Sequence, residues 1–165
     1  MSIEKEIARA VLLRKQGQHT AALAILLDLL RVSSGHAVLH FEVACTYDSQ
    51  GLEGDAIAHY EQALALGLTG ENRRGALLGL GSSYRCIEQY HDAVRVFERG
   101  IAEFPQANEF QVFLAMALHN LGEHRRALQL LLRHIAEHSG DRQTAKYKRA
   151  IFHYAENPDP PYDES

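Results

Sequence analysis

Ten histidines and one short run put the question of chemistry first. Residues 134–138 read His-Ile-Ala-Glu-His, which on a helix sets two imidazoles one turn apart with a carboxylate beside them. Two such nitrogens can hold zinc while the carboxylate takes a proton from metal-bound water, so His134, Glu137 and His138 define a zinc-hydrolase alternative. A further ligand would have to come from the residues that follow, where Asp141 and Glu156 are the nearby carboxylates. His36 and His40 also share a helical face, but two histidines without further ligands more often pack between helices. There is no Gly-x-x-x-x-Gly-Lys phosphate loop and no Gly-x-Ser-x-Gly nucleophile elbow. Cys45 and Cys86 have neither Cys-x-x-Cys nor zinc-finger spacing and no electropositive setting, which reads as reduced, inert core thiols. The expectation is a protein that is not an enzyme and uses no cofactor or metal.

The elements that carry these residues belong to a folded chain. Of 165 residues, 46% are apolar and 23% charged, the balance of an ordinary globular domain rather than a disordered one. A formal charge of -4 argues against nucleic acid, whose binding rests on Lys and Arg neutralising phosphates. The N-terminal MSIEKEIARA is charged where a signal peptide needs an apolar run, and AALAILL at 21–27 is cut by Asp28, far short of the ~20 residues that span a bilayer. A cytoplasmic protein with no membrane partner is expected.

Internal repetition then organises the whole chain. Ala22, Ala56, Ala93 and Ala127 are each followed four positions on by a large residue, Leu26, Tyr60, Phe97 or Leu131, and then usually by a small one. The alanines are separated by 34, 37 and 34 residues. Twelve residues before each stands Ala10, Ala44, Gly81 or Ala115, and nine before each stands Leu13, Tyr47, Tyr84 or Leu118. Small residues on paired helices let two backbones approach, while the large residue fills the groove beside them. Gly17, Gly51 and Gly122 supply the left-handed turn inside three of the units, and Glu88 stands at that point in the other.

This pattern resembles the tetratricopeptide repeat (TPR), a 34-residue pair of antiparallel helices, over about residues 3–138. The chain departs from it in having no tryptophan and in keeping the closing proline only as Pro105. The resemblance implies an all-α fold, a right-handed TPR superhelix of four helix pairs plus a C-terminal capping helix. The expected units are about 3–34, 37–68, 72–105 and 107–138, with helices near 3–16, 19–32, 36–50, 53–66, 72–87, 90–104, 107–121 and 123–138. Together with a helix at 141–156 they make a single TPR domain over 1–156, and 157–165 is an acidic, proline-rich tail. The C-terminal helix opens on Asp141, puts Tyr147, Ile151 and Tyr154 on one face, and leaves Lys146, Lys148 and Arg149 in water, as a solenoid cap requires.

In the family the first helix of every unit lines a concave surface that usually binds peptides. Carried onto this sequence, that row holds Ile7 and Val11, Phe41 and Cys45, Leu78 and Ser82, then Val112 and Met116. It is apolar, and the Lys and Asn of the carboxylate clamp that some members use for acidic C-termini are absent. A bare strip of this kind approaches or exceeds the ~300–600 Å² that a monomer tolerates, so a cover is expected. Gly75 and Gly79 lie on the same face, each costing ~1 kcal/mol of helix stability against alanine, which suggests a backbone passing close by. Arg14, Lys15, Arg73, Arg74 and Arg85 near the edge offer cations to an acidic segment. The functional expectation is a protein-interaction scaffold binding an apolar or amphipathic segment of a protein or peptide partner. A homodimer that hides its own groove is the alternative within binding.

Overall fold

The computed structural model describes residues 2–158, and within them the chain is helical with no strand. The helices are α1 (Ile3–Lys15), α2 (His19–Val32), α3 (Ala37–Asp48), α4 (Glu53–Ala65), α5 (Gly70–Cys86), α6 (Tyr90–Glu103), α7 (Glu109–Asn120), α8 (His124–His138), α9 (Arg142–Lys146) and α10 (Lys148–Glu156). The eight repeat helices thus match the expected spans to within two residues at every end.

One turn recurs between the first and second helix of each pair. After α1, the Gly17 N–H donates to the Arg14 carbonyl and the Gln18 N–H to the Leu13 carbonyl, the paired bonds of a Schellman cap. The same two bonds form at Gly51 and Leu52, at Glu88 and Gln89, and at Gly122 and Glu123. Leu13, Tyr47, Tyr84 and Leu118, the residues nine before each repeat alanine, therefore supply the carbonyl that closes every turn. The turning residue has positive φ each time: +77° at Gly17, +72° at Gly51, +64° at Glu88 and +80° at Gly122. Glu88 is a side chain in a conformation that costs L-residues ~1 kcal/mol or more.

The chain divides into two compact units, Met1–Val96 and Phe97–Ser165. In the first unit α1 packs on α2, α2 on α3, α3 on α4 and α4 on α5. Its core starts from the small contact residues: Ala10, Ala22, Ala44 and Ala56 are fully buried, as are Leu26, Leu39 and Val43. Ile7, Leu13, Leu23 and Tyr47 pack around that cluster. Arg14 ties α1 to α3. Its Nη1 lies 2.8 Å from Glu42 Oε2, both side chains being largely buried, and also donates to the Glu42 carbonyl at 3.2 Å. The approach to Oε2 is an ion pair without a well-directed hydrogen bond, so Coulomb attraction rather than geometry balances the buried carboxylate.

In the second unit α7 packs on α8 and α10 on α8. Phe97 and Phe110 are fully buried, with Phe97 beside Phe113 and Phe110 beside Phe104. Gly100 is required there, since a Cβ on it would run into the Phe110 ring. The C-terminal segment differs from expectation. The single helix read over 141–156 is two, broken at Tyr147, whose φ of -100° and ψ of 6° end α9 and begin α10. The break changes which residues share a face: Ala155 is buried and Ile151 and Phe152 half-buried, while Tyr147 and Tyr154 are 65% and 57% exposed. Of the tail read at 157–165, residues 159–165 lie outside the described residues.

Candidate functional site

Within the first unit α1 touches α3 and α3 touches α5, so these first helices of successive pairs form one wall. Ile7 and Val11 on α1, Phe41 and Cys45 on α3, and Gly75, Leu78, Gly79 and Ser82 on α5 are all half-buried, neither sealed in the core nor fully open. Val112, 37% exposed, and Met116, half-buried, stand on α7 in the second unit.

The two wall glycines have an internal explanation. A Cβ on Gly75 would come within 3.2 Å of the Phe41 ring, and one on Gly79 would fall 2.5 Å from both Cζ and Oη of Tyr60. Each of the two glycines thus faces an aromatic ring of the same chain, with a tight contact at Gly75 and a direct overlap at Gly79. Tyr60, the large residue of its repeat, enters from α4 beside α5 and lies 6.3 Å from the Phe41 ring. Its hydroxyl donates to Asp48 Oδ2 at 3.1 Å, with Cys45 Sγ 3.6 Å away.

Asp48 is the wall residue that sequence reasoning passed over. It sits seven residues after Phe41 and three after Cys45, a spacing that continues their face by one turn. Its Oδ1 accepts from Ser83 Oγ at 3.3 Å, so one carboxylate joins α3, α4 and α5. Burial pushes its pKa above the usual carboxylate range, and nearby Glu53 adds to the rise against the two hydroxyl donors. Burial also raises the Cys45 thiol to about 11, which keeps it protonated and poorly nucleophilic at neutral pH. Burial moves the Tyr60 phenol in the same direction, so it remains a donor. The wall is thus apolar over Ile7, Phe41 and Leu78 and polar one end further, at Asp48.

Several edge cations are already engaged. Arg14 is bound to Glu42, Arg73 Nη1 donates to the Leu68 carbonyl at 3.2 Å, and Arg74 pairs with Glu71 at 2.6 Å. His36 caps α3 by accepting from the Leu39 N–H, and His40 meets His59 with their Nδ1 atoms 3.0 Å apart. The His-Ile-Ala-Glu-His run has its own local partners. The rings of His134 and His138 stack at 4.6 Å, His138 Nδ1 donates to the His134 carbonyl, and His134 Nδ1 lies 3.3 Å from Gln111 Oε1. Among the described residues no group of three metal-ligating side chains assembles, there or elsewhere.

The family model described as tetratrico peptide repeat matches residues 37–157. The chain belongs to the TPR family. The match takes in α9 and α10 and leaves out the first helix pair, whose turn at Gly17 nonetheless repeats the hydrogen bonds of the others. Among solved structures, MamA is similar at a TM-score of 0.74 and 20% identity, covering 92% of this chain and 85% of that one. YrrB, described as a TPR protein with an unusual peptide-binding site, reaches 0.72 at 22% identity over 93% and 78%. Nearly identical TPR-like repeats from Podosopora anserina reach 0.69 at 18% identity over 93% and 94%. Among curated proteins none matches. These likenesses establish the TPR fold, that of modules for protein–protein interaction, in a family whose members are generally non-enzymatic scaffolds. No described helix is long and apolar enough to cross a membrane.

Proposed function

We propose that this TPR protein is a non-catalytic cytoplasmic module that takes an apolar or amphipathic segment of another polypeptide along the wall of α1, α3 and α5. The observation that carries the reading is incomplete burial: Ile7, Val11, Phe41, Cys45 and Leu78 keep part of their surface open after the three helices have packed. Completing the burial of such side chains is worth up to ~1.5–3 kcal/mol each, and a few anchors of this size carry most of an interface. Phe41 is the central anchor, because its ring already rests on the backbone at Gly75 and loses little freedom on binding. Asp48 at the end of the wall favours a segment with a donor group there. Val112 and Met116 are proposed as anchors of the same kind on α7. The fold shared with YrrB, a protein described as having a peptide-binding site, supports a peptide as the class of ligand.

The test is panning of a random-peptide phage library on the wild-type protein, with Phe41→Glu and Leu78→Lys as comparisons. Peptides with apolar residues at helical spacing should be selected, and each variant should bind them about tenfold more weakly or worse, ~1.4 kcal/mol, with unchanged circular dichroism. Selected peptides that bind both variants as well as wild type would move the site off this wall. A dimer seen by light scattering and dissolved by Phe41→Glu would make a second copy the occupant.

A further inference from the structure

Residues 142–155 contain Arg142, Lys146, Lys148 and Arg149 and no carboxylate, in a chain whose formal charge is -4. The structure gives this run a definite outward face. α10 packs on α8 through buried Ala155 and half-buried Ile151 and Phe152. The acid that closes α10, Glu156, is drawn the same way: its carboxylate pairs with Arg133 and its carbonyl accepts from Gln129, both on α8. On the other side, Lys146, Tyr147, Arg149, Ala150, His153 and Tyr154 line an open concavity of about 480 Å³.

The arrangement is that of a notch with a cationic border. Tyr147 at the break and Tyr154 on α10 are both exposed and line this concavity together with the small Ala150. A partner's apolar side chain fits over Ala150 between the rings. Among the described residues the border meets no counter-charge: Lys146 donates to the neutral amide of Gln143, 2.8 Å away, and Arg149 makes no ion pair. A solenoid cap needs only a polar outer face; two exposed tyrosines around an alanine exceed that need.

We propose that the outer face of α9 and α10 is a docking site for an acidic peptide segment that places an apolar side chain between Tyr147 and Tyr154 and carboxylates against Lys146 and Arg149. This site is separate from the wall of α1, α3 and α5 and does not depend on it. Charge complementarity selects the occupant: a carboxylate-bearing chain satisfies both cations, and the net negative charge of the protein disfavours a polyphosphate.

The experiment measures fluorescence anisotropy of a labelled synthetic peptide of repeated Glu-Glu-Leu-Phe, its Lys-Lys-Leu-Phe counterpart and a short single-stranded oligonucleotide. The intact protein is compared with a Lys146→Glu/Arg149→Glu double variant and with Tyr154→Ser. The acidic peptide should bind, bind more weakly as salt is raised, and lose about tenfold or more in the double variant and severalfold in Tyr154→Ser. Every arm is repeated in the Phe41→Glu background, which removes binding along the wall from the readout, and the losses in the double variant and in Tyr154→Ser should persist there. Equal binding of the lysine peptide, stronger binding of the oligonucleotide, or full affinity in the double variant overturns the proposal. So does acidic-peptide binding that appears only when the protein ends at Pro158, which would make the chain's own Asp159, Asp163 and Glu164 the occupant, or a dimer that the double variant dissolves.

Discussion

The Tyr60 ring fills the space that a side chain at Gly79 would need, with two of its atoms 2.5 Å from an ideal Cβ. Tyr60 is almost fully buried and held through its hydroxyl by Asp48, so it cannot simply swing aside. Two effects compete in Gly79→Ala: helix propensity favours it by ~1 kcal/mol, and overpacking opposes it by ~1–3 kcal/mol. The clash should win because the obstacle is a fixed ring. A lower urea midpoint, by about 1 kcal/mol in stability, is expected, and Gly79→Ala more stable than wild type would show that the ring yields.

Glu88 stands where the other repeat turns have glycine, at φ +64°. Glu88→Gly should raise stability by ~0.5–1 kcal/mol, since relief of left-handed strain exceeds the extra chain entropy lost by glycine. Thermal or urea unfolding reads the sign directly. Gly122→Ala, at φ +80°, should move the other way by a similar amount.

Arg14 and Glu42 form a largely buried pair. Arg14→Met should destabilise by ~3 kcal/mol because it leaves the Glu42 carboxylate buried and uncompensated, whereas Arg14→Met with Glu42→Leu should recover much of the loss. If the double variant were as unstable as the single one, packing of the arginine stem rather than charge would be the cause.

Asp48 provides a pH signature of the wall. Its folded pKa is raised, so the folded state binds its proton more tightly than the unfolded chain does. Its contribution to stability therefore improves as pH falls through the raised value toward the ordinary carboxylate range, and no further change is expected below that range. The urea stability of wild type relative to Asp48→Asn should rise over that window, and a constant or falling difference would place Asp48 in a more solvated setting than its burial implies.

Much of the fold was legible because the repeat is written in size. Ala10, Ala22, Ala44 and Ala56 are buried where two helices touch, and Leu13, Tyr47, Tyr84 and Leu118 close a turn whose geometry depends on position rather than side chain. Glu88 keeps the same two backbone hydrogen bonds as the glycines, at the cost of a left-handed φ of +64°. The wall was legible only as a helical face. Spacing along α5 puts Gly75 and Gly79 together, but it says nothing of which aromatic ring from another helix reaches them. Asp48 was passed over for the same reason, since its partners Tyr60 and Ser83 lie 12 and 35 residues away in the chain. Its i+7 spacing from Phe41 was the available signal. The break at Tyr147 had no proline or glycine to announce it.

The two cysteines differ in a way that is useful at the bench. Cys45 is held as a thiol inside the wall, its pKa about 11, while Cys86 is exposed at the end of α5. A maleimide dye should therefore attach to the folded protein at one position, giving a fluorescent reporter without cysteine engineering, and a second adduct would signal that the wall has opened.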